Sequence, residues 1–257
     1  MNLIVAIFAF IFLCFNAKAQ NIQFKDSLNR PQQLTYYSMN HLGDYSSIIN
    51  NEISKKTPQK TFTFKEPFLG TISIYDERNP LQQLVFYKNT QQIVLLDNQL
   101  SVKNRRNLMQ AFPEIDASYV SMTAQSTLWI FDNASRKWGV LDLQTNQITY
   151  ISNPIVDYDF LTTSGNEAYW QNGSKVYGID IYGKLMKEYS LDANSILLAI
   201  NGDKILYQLN KNVFLYNTTT EEKSLLKEVR TEVEKAFFNA ENITILTNEM
   251  IFLFKLK

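Results

Sequence analysis

The strongest constraint on this chain is a repeat of paired apolar runs with a period near forty residues. Leu84-Val-Phe-Tyr87 is followed by Ile93-Val-Leu-Leu-Asp97, Leu128-Trp-Ile-Phe131 by Gly139-Val-Leu-Asp142, and Ala168-Tyr-Trp-Gln171 by Val176-Tyr-Gly-Ile-Asp180. Ile205-Leu-Tyr-Gln208 then precedes Val213-Phe-Leu-Tyr-Asn217, and Ile243-Thr-Ile-Leu246 precedes Met250-Ile-Phe-Leu253. The first runs begin at 84, 128, 168, 205 and 243, and the closing Asp or Asn stands at 97, 142, 180 and 217. Two independent landmarks keep one rhythm. A period of this length, with several short strands per unit, predicts propeller blades, each a four-stranded antiparallel sheet. The Asp or Asn has a local role, because its side chain can accept a backbone N–H two residues on and so start the turn into the next strand.

Four strands per unit start blade 2 near Thr71, blade 3 near Ser118, blade 4 near Tyr158, blade 5 near Ser195 and blade 6 near Glu234. Blade 1 is less regular, with strands expected around Gln33–Met39, Asp44–Ile49, Glu52–Lys56 and Lys60–Lys65. Blade 6 has room for only three strands before Lys257, while Asn21-Ile-Gln-Phe-Lys-Asp26 has no blade of its own. The N-terminal segment therefore supplies the missing outer strand, which closes the ring and covers an exposed edge. The expected fold is all-β, a single propeller of six four-stranded blades over residues 20–257, with five or seven open if blade 1 is misread.

Leu3 to Phe15 is an unbroken apolar run followed by Ala17-Lys18-Ala19 and Gln20. Its length suits a signal-peptide helix and is short for a bilayer span. The two small alanines predict cleavage after Ala19; the alternative is an uncleaved N-terminal anchor. Residues 1–19 include the sole cysteine, Cys14, so the mature chain is expected to carry neither disulfide nor thiolate. The full sequence has 25 basic and 25 acidic residues, a balance that offers nucleic acid and anionic membranes no general attraction.

Val140-Leu-Asp-Leu-Gln-Thr-Asn-Gln-Ile and Gly178-Ile-Asp-Ile-Tyr-Gly-Lys-Leu resemble the Asp-x-x-Thr-Gly-Lys turn of quinoprotein-like propeller repeats. Asn217-Thr-Thr-Thr echoes it in part, and Tyr189 stands where a docking tryptophan of that pattern would be. Around Val94-Leu-Leu-Asp-Asn-Gln-Leu100 the chain also resembles small exported propellers of Bacteroidota. The resemblance implies a propeller in the periplasm or on the outer surface of a Gram-negative bacterium, and by analogy a scaffold role in its envelope.

Chemistry-bearing residues are sparse. The one histidine, His41, sits in a turn-like Asn40-His-Leu-Gly43, so zinc, haem and Cys–His catalysis are poorly supplied, and no metal or cofactor is expected. Three carboxylate pairs could do acid/base work: Glu114 with Asp116, Asp157 with Asp159 beside Tyr158, and Asp76 with Glu77. The first two follow Phe112-Pro113 and Asn153-Pro154, in connections that enter a new blade, and are the expected binding residues at a channel mouth. Lys103-Asn-Arg105-Arg106 reads as a charged outer edge that guards against aggregation, and Trp129, Trp138 and Trp170 as packing between blades. The turns Lys88–Gln92, Asn172–Lys175 and Asn210–Asn212 are short, whereas propeller enzymes commonly build their sites from longer insertions. The expectation is a non-catalytic, monomeric interaction module for an envelope protein partner. A small-ligand or carbohydrate-binding or hydrolysing propeller using the channel-mouth carboxylates is the rival reading.

Overall fold

The computed structural model describes residues 22–40, 43–125 and 127–256, so the apolar N-terminal run, its proposed cleavage site and His41 lie outside the described residues. Strand β1 (Ile22–Asn29) comes first. Blade 1 is β2 (Leu34–Met39), β3 (Tyr45–Ile49), β4 (Glu52–Lys56) and β5 (Thr61–Lys65). Blade 2 is β6 (Ile74–Asp76), β7 (Gln83–Tyr87), β8 (Gln92–Leu96) and β9 (Val102–Asn107), followed by the one-turn helix α1 (Leu108–Ala111). Blade 3 is β10 (Ala117–Met122), β11 (Leu128–Asp132), β12 (Lys137–Asp142) and β13 (Gln147–Tyr150). Blade 4 is β14 (Phe160–Ser164), β15 (Glu167–Asn172), β16 (Lys175–Asp180) and β17 (Leu185–Ser190). Blade 5 is β18 (Ile196–Asn201), β19 (Lys204–Leu209), β20 (Asn212–Asn217) and β21 (Lys223–Glu228). Blade 6 is β22 (Val233–Asn239), β23 (Asn242–Thr247) and β24 (Met250–Leu256), with β1 as its outer strand. The chain is a six-bladed β-propeller.

The repeat rhythm is an effect of burial. The second strand of a blade has a neighbouring blade on each face, so both sets of side chains must be apolar. Thus β7 and β11 are buried throughout, whereas outer strands such as β9 and β13 are largely exposed. Side chains of β7 alternate between two partners. Leu84 and Phe86 pack toward blade 3, and Val85 and Tyr87 toward blade 1. The apolar core is accordingly a ring of clusters, one at each blade interface, and not a single centre. Trp129 and Trp138 are fully buried in the cluster between blades 3 and 4, and Trp170 is half-buried and stacked on Tyr177 at 5.3 Å.

The turn role of the recurring Asp or Asn holds at all four sites. Asp97, Asp142, Asp180 and Asn217 accept the backbone N–H of Gln99 (2.8 Å), Gln144 (2.7 Å), Tyr182 (2.9 Å) and Thr219 (2.8 Å). All four turns close on a residue with positive φ, Leu100 (61°), Asn146 (56°), Gly183 (80°) and Glu221 (59°). At Gly183 a Cβ would also sit 2.1 Å from the Ile151 carbonyl oxygen, so the turn requires glycine twice over. A second repeated device was not anticipated. Gln91 and Gln171 end or follow a blade's second strand and clip the next blade's inner strand, accepting from Ala117 N (2.9 Å) and Leu197 N (2.7 Å) while donating to Ala117 O (2.9 Å) and Ser195 O (2.6 Å). Gln208 accepts Val233 N (2.9 Å) in the same way. The basic cluster is less free than expected, since Arg105 pairs with Glu66 of blade 1's exit (2.6 Å) and Arg106 bonds Leu143 O (3.2 Å) and the Asn146 side chain of blade 3.

Ring closure follows the expected route. β1 runs antiparallel to β24 from Ile22↔Leu256 to Asn29↔Met250, with a bulge between Phe24 and Asp26. Phe24 meets Phe254 edge-on at 5.5 Å, and Lys227 of β21 lies over both Phe24 and Phe252. The seam between blades 6 and 1 has a small buried cluster, Leu34, Leu246, Ile251 and Leu253, and is reinforced by polar contacts. Arg30 donates to Leu34 O (2.9 and 2.6 Å), Thr247 O (2.5 Å) and Glu234 (2.6 Å), and its N–H bonds Glu249 O at 2.7 Å. Replacing Arg30 with Met should strip these carbonyls of their donor and cost about 2–3 kcal/mol. Urea unfolding of Arg30→Met against Lys25→Met, an exposed neighbour on β1, measures the loss; equal midpoints would contradict it.

Candidate functional site

Inner strands have one edge paired within their blade and one facing the central channel. The N–H and C=O groups on that free edge need partners from water, ligand or side chains. Every inner strand runs from the face carrying the connections between blades (the crossover face) to the face carrying the turn into the second strand (the hairpin face). The channel and an adjoining cleft between blades 1 and 2 form a cavity of about 1220 Å3.

At its hairpin end, the last residue of β6 and the turn after it hold Asp76, Glu77 and Arg78 in succession, and this triple cross-braces the channel. Arg78 grips Asp76 with two bonds, Nε to Oδ1 at 2.9 Å and Nη2 to Oδ2 at 2.6 Å. It also reaches β14, donating to Thr163 O (2.8 Å), and β10, donating to Met122 O (3.2 Å). Asp76 Oδ2 accepts Met122 N at 2.9 Å, and Ser121 and Thr163 are joined through their hydroxyls at 2.7 Å. The pair thereby satisfies free-edge groups of two other blades. Glu77 points the other way. It accepts from Tyr36 (3.1 Å) and Ser46 (2.5 Å) of blade 1, Tyr75 (3.3 Å) of blade 2 and Asn239 (3.1 Å) of blade 6. One turn thus ties blade 2 to blades 1, 3, 4 and 6.

The electrostatics match a structural brace. Asp76 is 5% exposed; burial alone would raise its pKa, but the Arg78 charge and hydrogen bonds from Arg78 and Met122 outweigh it and hold the carboxyl below its ordinary range. Arg78 has 35% of its side chain facing the cavity; burial opposes its charge, and Asp76 more than compensates. Burial and then the Glu77 charge push the Tyr36 and Tyr75 phenols well up, so both stay protonated donors. Each oxygen of Asp76 and Glu77 is already an acceptor of protein hydrogens, which leaves neither carboxylate placed as a free acid or base. Among the described residues no group of His, Cys, Asp or Glu is arranged to hold a metal ion.

Of the expected binding residues, Glu114, Asp116, Asp157, Tyr158 and Asp159 all lie in connections on the crossover face, and none lines the channel cavity. The two acid pairs stay apart, on the approaches to blades 3 and 4. Asp116 accepts the Asn133 side chain (3.1 Å) and Asp159 accepts Gly173 N (2.7 Å), while Glu114 and Asp157 are exposed. Tyr158 packs edge-on against Phe131 at 5.1 Å with Arg136 over its ring. The pair that reaches the channel is Asp76 with Glu77; Asp44, Lys55, Arg78, Glu234 and Lys235 also line it and carry no site signal in the sequence. The available signal was Asp76-Glu-Arg78 at the end of a three-residue strand and ahead of the apolar run Leu84–Tyr87.

A further feature of the crossover face is apolar. Phe68, Met109, Val156 and Ile196 come from four successive blade junctions and are between 50% and 89% exposed. Among the described residues no helix is long and apolar enough to cross a membrane.

No family model and no curated protein sequence matches the chain. Solved structures with a similar fold include a catalytically inactive virginiamycin B lyase from Staphylococcus aureus in complex with quinupristin, with a TM-score of 0.61 and 12% identity over 91% of this chain and all of that one. The β-propeller domain of Swd1 from Myceliophteria thermophila gives 0.62 and 9% over 92% of this chain and 100% of that one. The extracellular domain of the hybrid two-component system BT4673 from B. thetaiotaomicron gives 0.57 and 8%, covering 87% of this chain and 34% of that one. At such identities the likeness is one of fold.

The brace makes a pH-dependent contribution. Asp76 has its folded pKa depressed, so its stabilisation is complete above about pH 4 and is lost as pH falls through the lowered value. Asp76→Asn should lose about 2–4 kcal/mol near neutrality by leaving Arg78 unpaired, and should flatten the fall in Tm between pH 5 and 3. Thermal melts across that range test both; parallel curves for wild type and variant would refute the assignment.

Proposed function

We propose that this chain is an exported, non-catalytic propeller that binds a protein partner in a bacterial envelope through its crossover face. The observation that carries this reading is the set of exposed apolar side chains, Phe68, Met109, Val156 and Ile196, projecting from four consecutive blade junctions of one face. Exposed large apolar side chains set among polar ones on one face are what a docking surface offers. The rim is available from residues singled out in the sequence: Glu114, Asp116, Asp157 and Asp159 share that face. The internal use of Asp76 and Glu77 favours binding over catalysis, because it leaves the channel carboxylates committed to the scaffold. Export rests on the apolar run Leu3–Phe15 with Ala17 and Ala19 after it. An extracellular domain from Bacteroides among proteins of similar fold agrees with that location. Propellers of this shape serve many unrelated ends, so the fold itself adds little.

The test is photo-crosslinking in the native host with a benzophenone amino acid at position 68 or, on the hairpin face, at Tyr182. A discrete adduct from position 68 that Val156→Glu abolishes, with none from position 182, is expected. No adduct at 68, or one indifferent to Val156→Glu, would contradict docking through this face.

A further inference from the structure

The channel is lined by seven charged side chains, and six have polar partners. Asp76 holds Arg78, Glu77 accepts four donors, Glu234 pairs with Arg30, Asp44 accepts the Asn40 side chain (3.1 Å), and Lys55 donates to Asn98 O (3.2 Å). Lys235 is the exception. It stands near the start of β22, where a bulge between Val233 and Lys235 turns it toward the cavity, and among the described residues no hydrogen bond or ion pair reaches it. Partial desolvation by the channel walls lowers its pKa, and the nearby Arg30 charge adds to this, with Glu234 opposing. Its side chain is exposed to the cavity, so its ammonium is a charge lining this space that remains free to meet a ligand.

The cavity around the same end of the channel is apolar in body. Tyr119 of β10 and Phe160 of β14 are half-buried, and Leu198 of β18 joins them in the wall. With Ser73 and Ser118 they surround a space larger than a small organic molecule needs. We infer that the channel binds a small amphipathic organic anion, its acidic group on the Lys235 ammonium and its apolar body against Tyr119, Phe160 and Leu198. The carboxylates near this end do not oppose it, since Glu234 is engaged by Arg30 at 2.6 Å. This site is separate from the outer apolar row of the crossover face and stands whether or not a protein docks there.

The probe is 8-anilinonaphthalene-1-sulfonate, an apolar body with one sulfonate, titrated by fluorescence into the full folded protein. Its uncharged relative, N-phenyl-1-naphthylamine, serves as the control. Saturable binding of one sulfonate dye per chain is expected, and Lys235→Met should weaken it about tenfold, as loss of a partly desolvated ion pair does. The same substitution should leave the neutral dye's affinity and the Tm unchanged. Leu198→Trp, which fills the wall, should weaken both dyes. The inference is overturned if wild type shows no saturable binding, if Lys235→Met binds the sulfonate as tightly as wild type, or if it loses both dyes equally.

Discussion

Packing between neighbouring blades is the constraint on which the rest depends. Each sheet is apolar on both faces, so no blade can bury itself alone, and every interface needs the next one in place. Leu84 with Phe86 and Val85 with Tyr87 show this within five residues, because alternate side chains of one strand belong to different interfaces. Such an arrangement has no natural end short of a closed circle. An open array would leave two apolar faces in water, at a cost of about 25 cal/mol for each Å2 exposed. Closure is therefore a condition of stability as well as a matter of shape. It falls on β1, whose pairing with β24 gives blade 6 its outer strand.

A closed ring creates a second problem at its centre. The free edges of the inner strands converge on one channel and line it with backbone groups that want partners. Blade 2 meets this with Asp76, Glu77 and Arg78, which spread over the ends of inner strands from four other blades. The arrangement stiffens one end of the channel. At the other end of the channel, Lys235 has no side-chain partner among the described residues.

Much of the architecture was legible because it rests on local signals. Period-2 burial on both faces produces continuous apolar runs, and the turn geometry selects Asp or Asn at fixed points. Those two features set the blade rhythm, and the count of only three strands left for blade 6 placed the N-terminal strand beside it. The brace was not legible. Glu77 meets Asn239 across 162 positions and Arg78 meets Thr163 across 85, and nothing in the sequence marks those distant residues as partners. The carboxylates flanking prolines looked more like a site, since loops before a new blade sit near a channel in topology. Their side chains instead cap neighbouring turns or face solvent, as Asp159 does with Gly173 N. The glutamine clips were hidden for the same reason. Gln171 and Gln208 end apolar strands and read as ordinary strand residues until the next blade's backbone is alongside them.

Native-state hydrogen exchange, read by NMR on the amides of β1, tests the closed ring most directly. If β1 completes blade 6, its amides facing β24 exchange slowly, with an opening free energy close to that of β23 and β24. Amides of β1 exchanging at the rate of an unstructured peptide, while β23 and β24 stay protected, would show that the ring closes some other way.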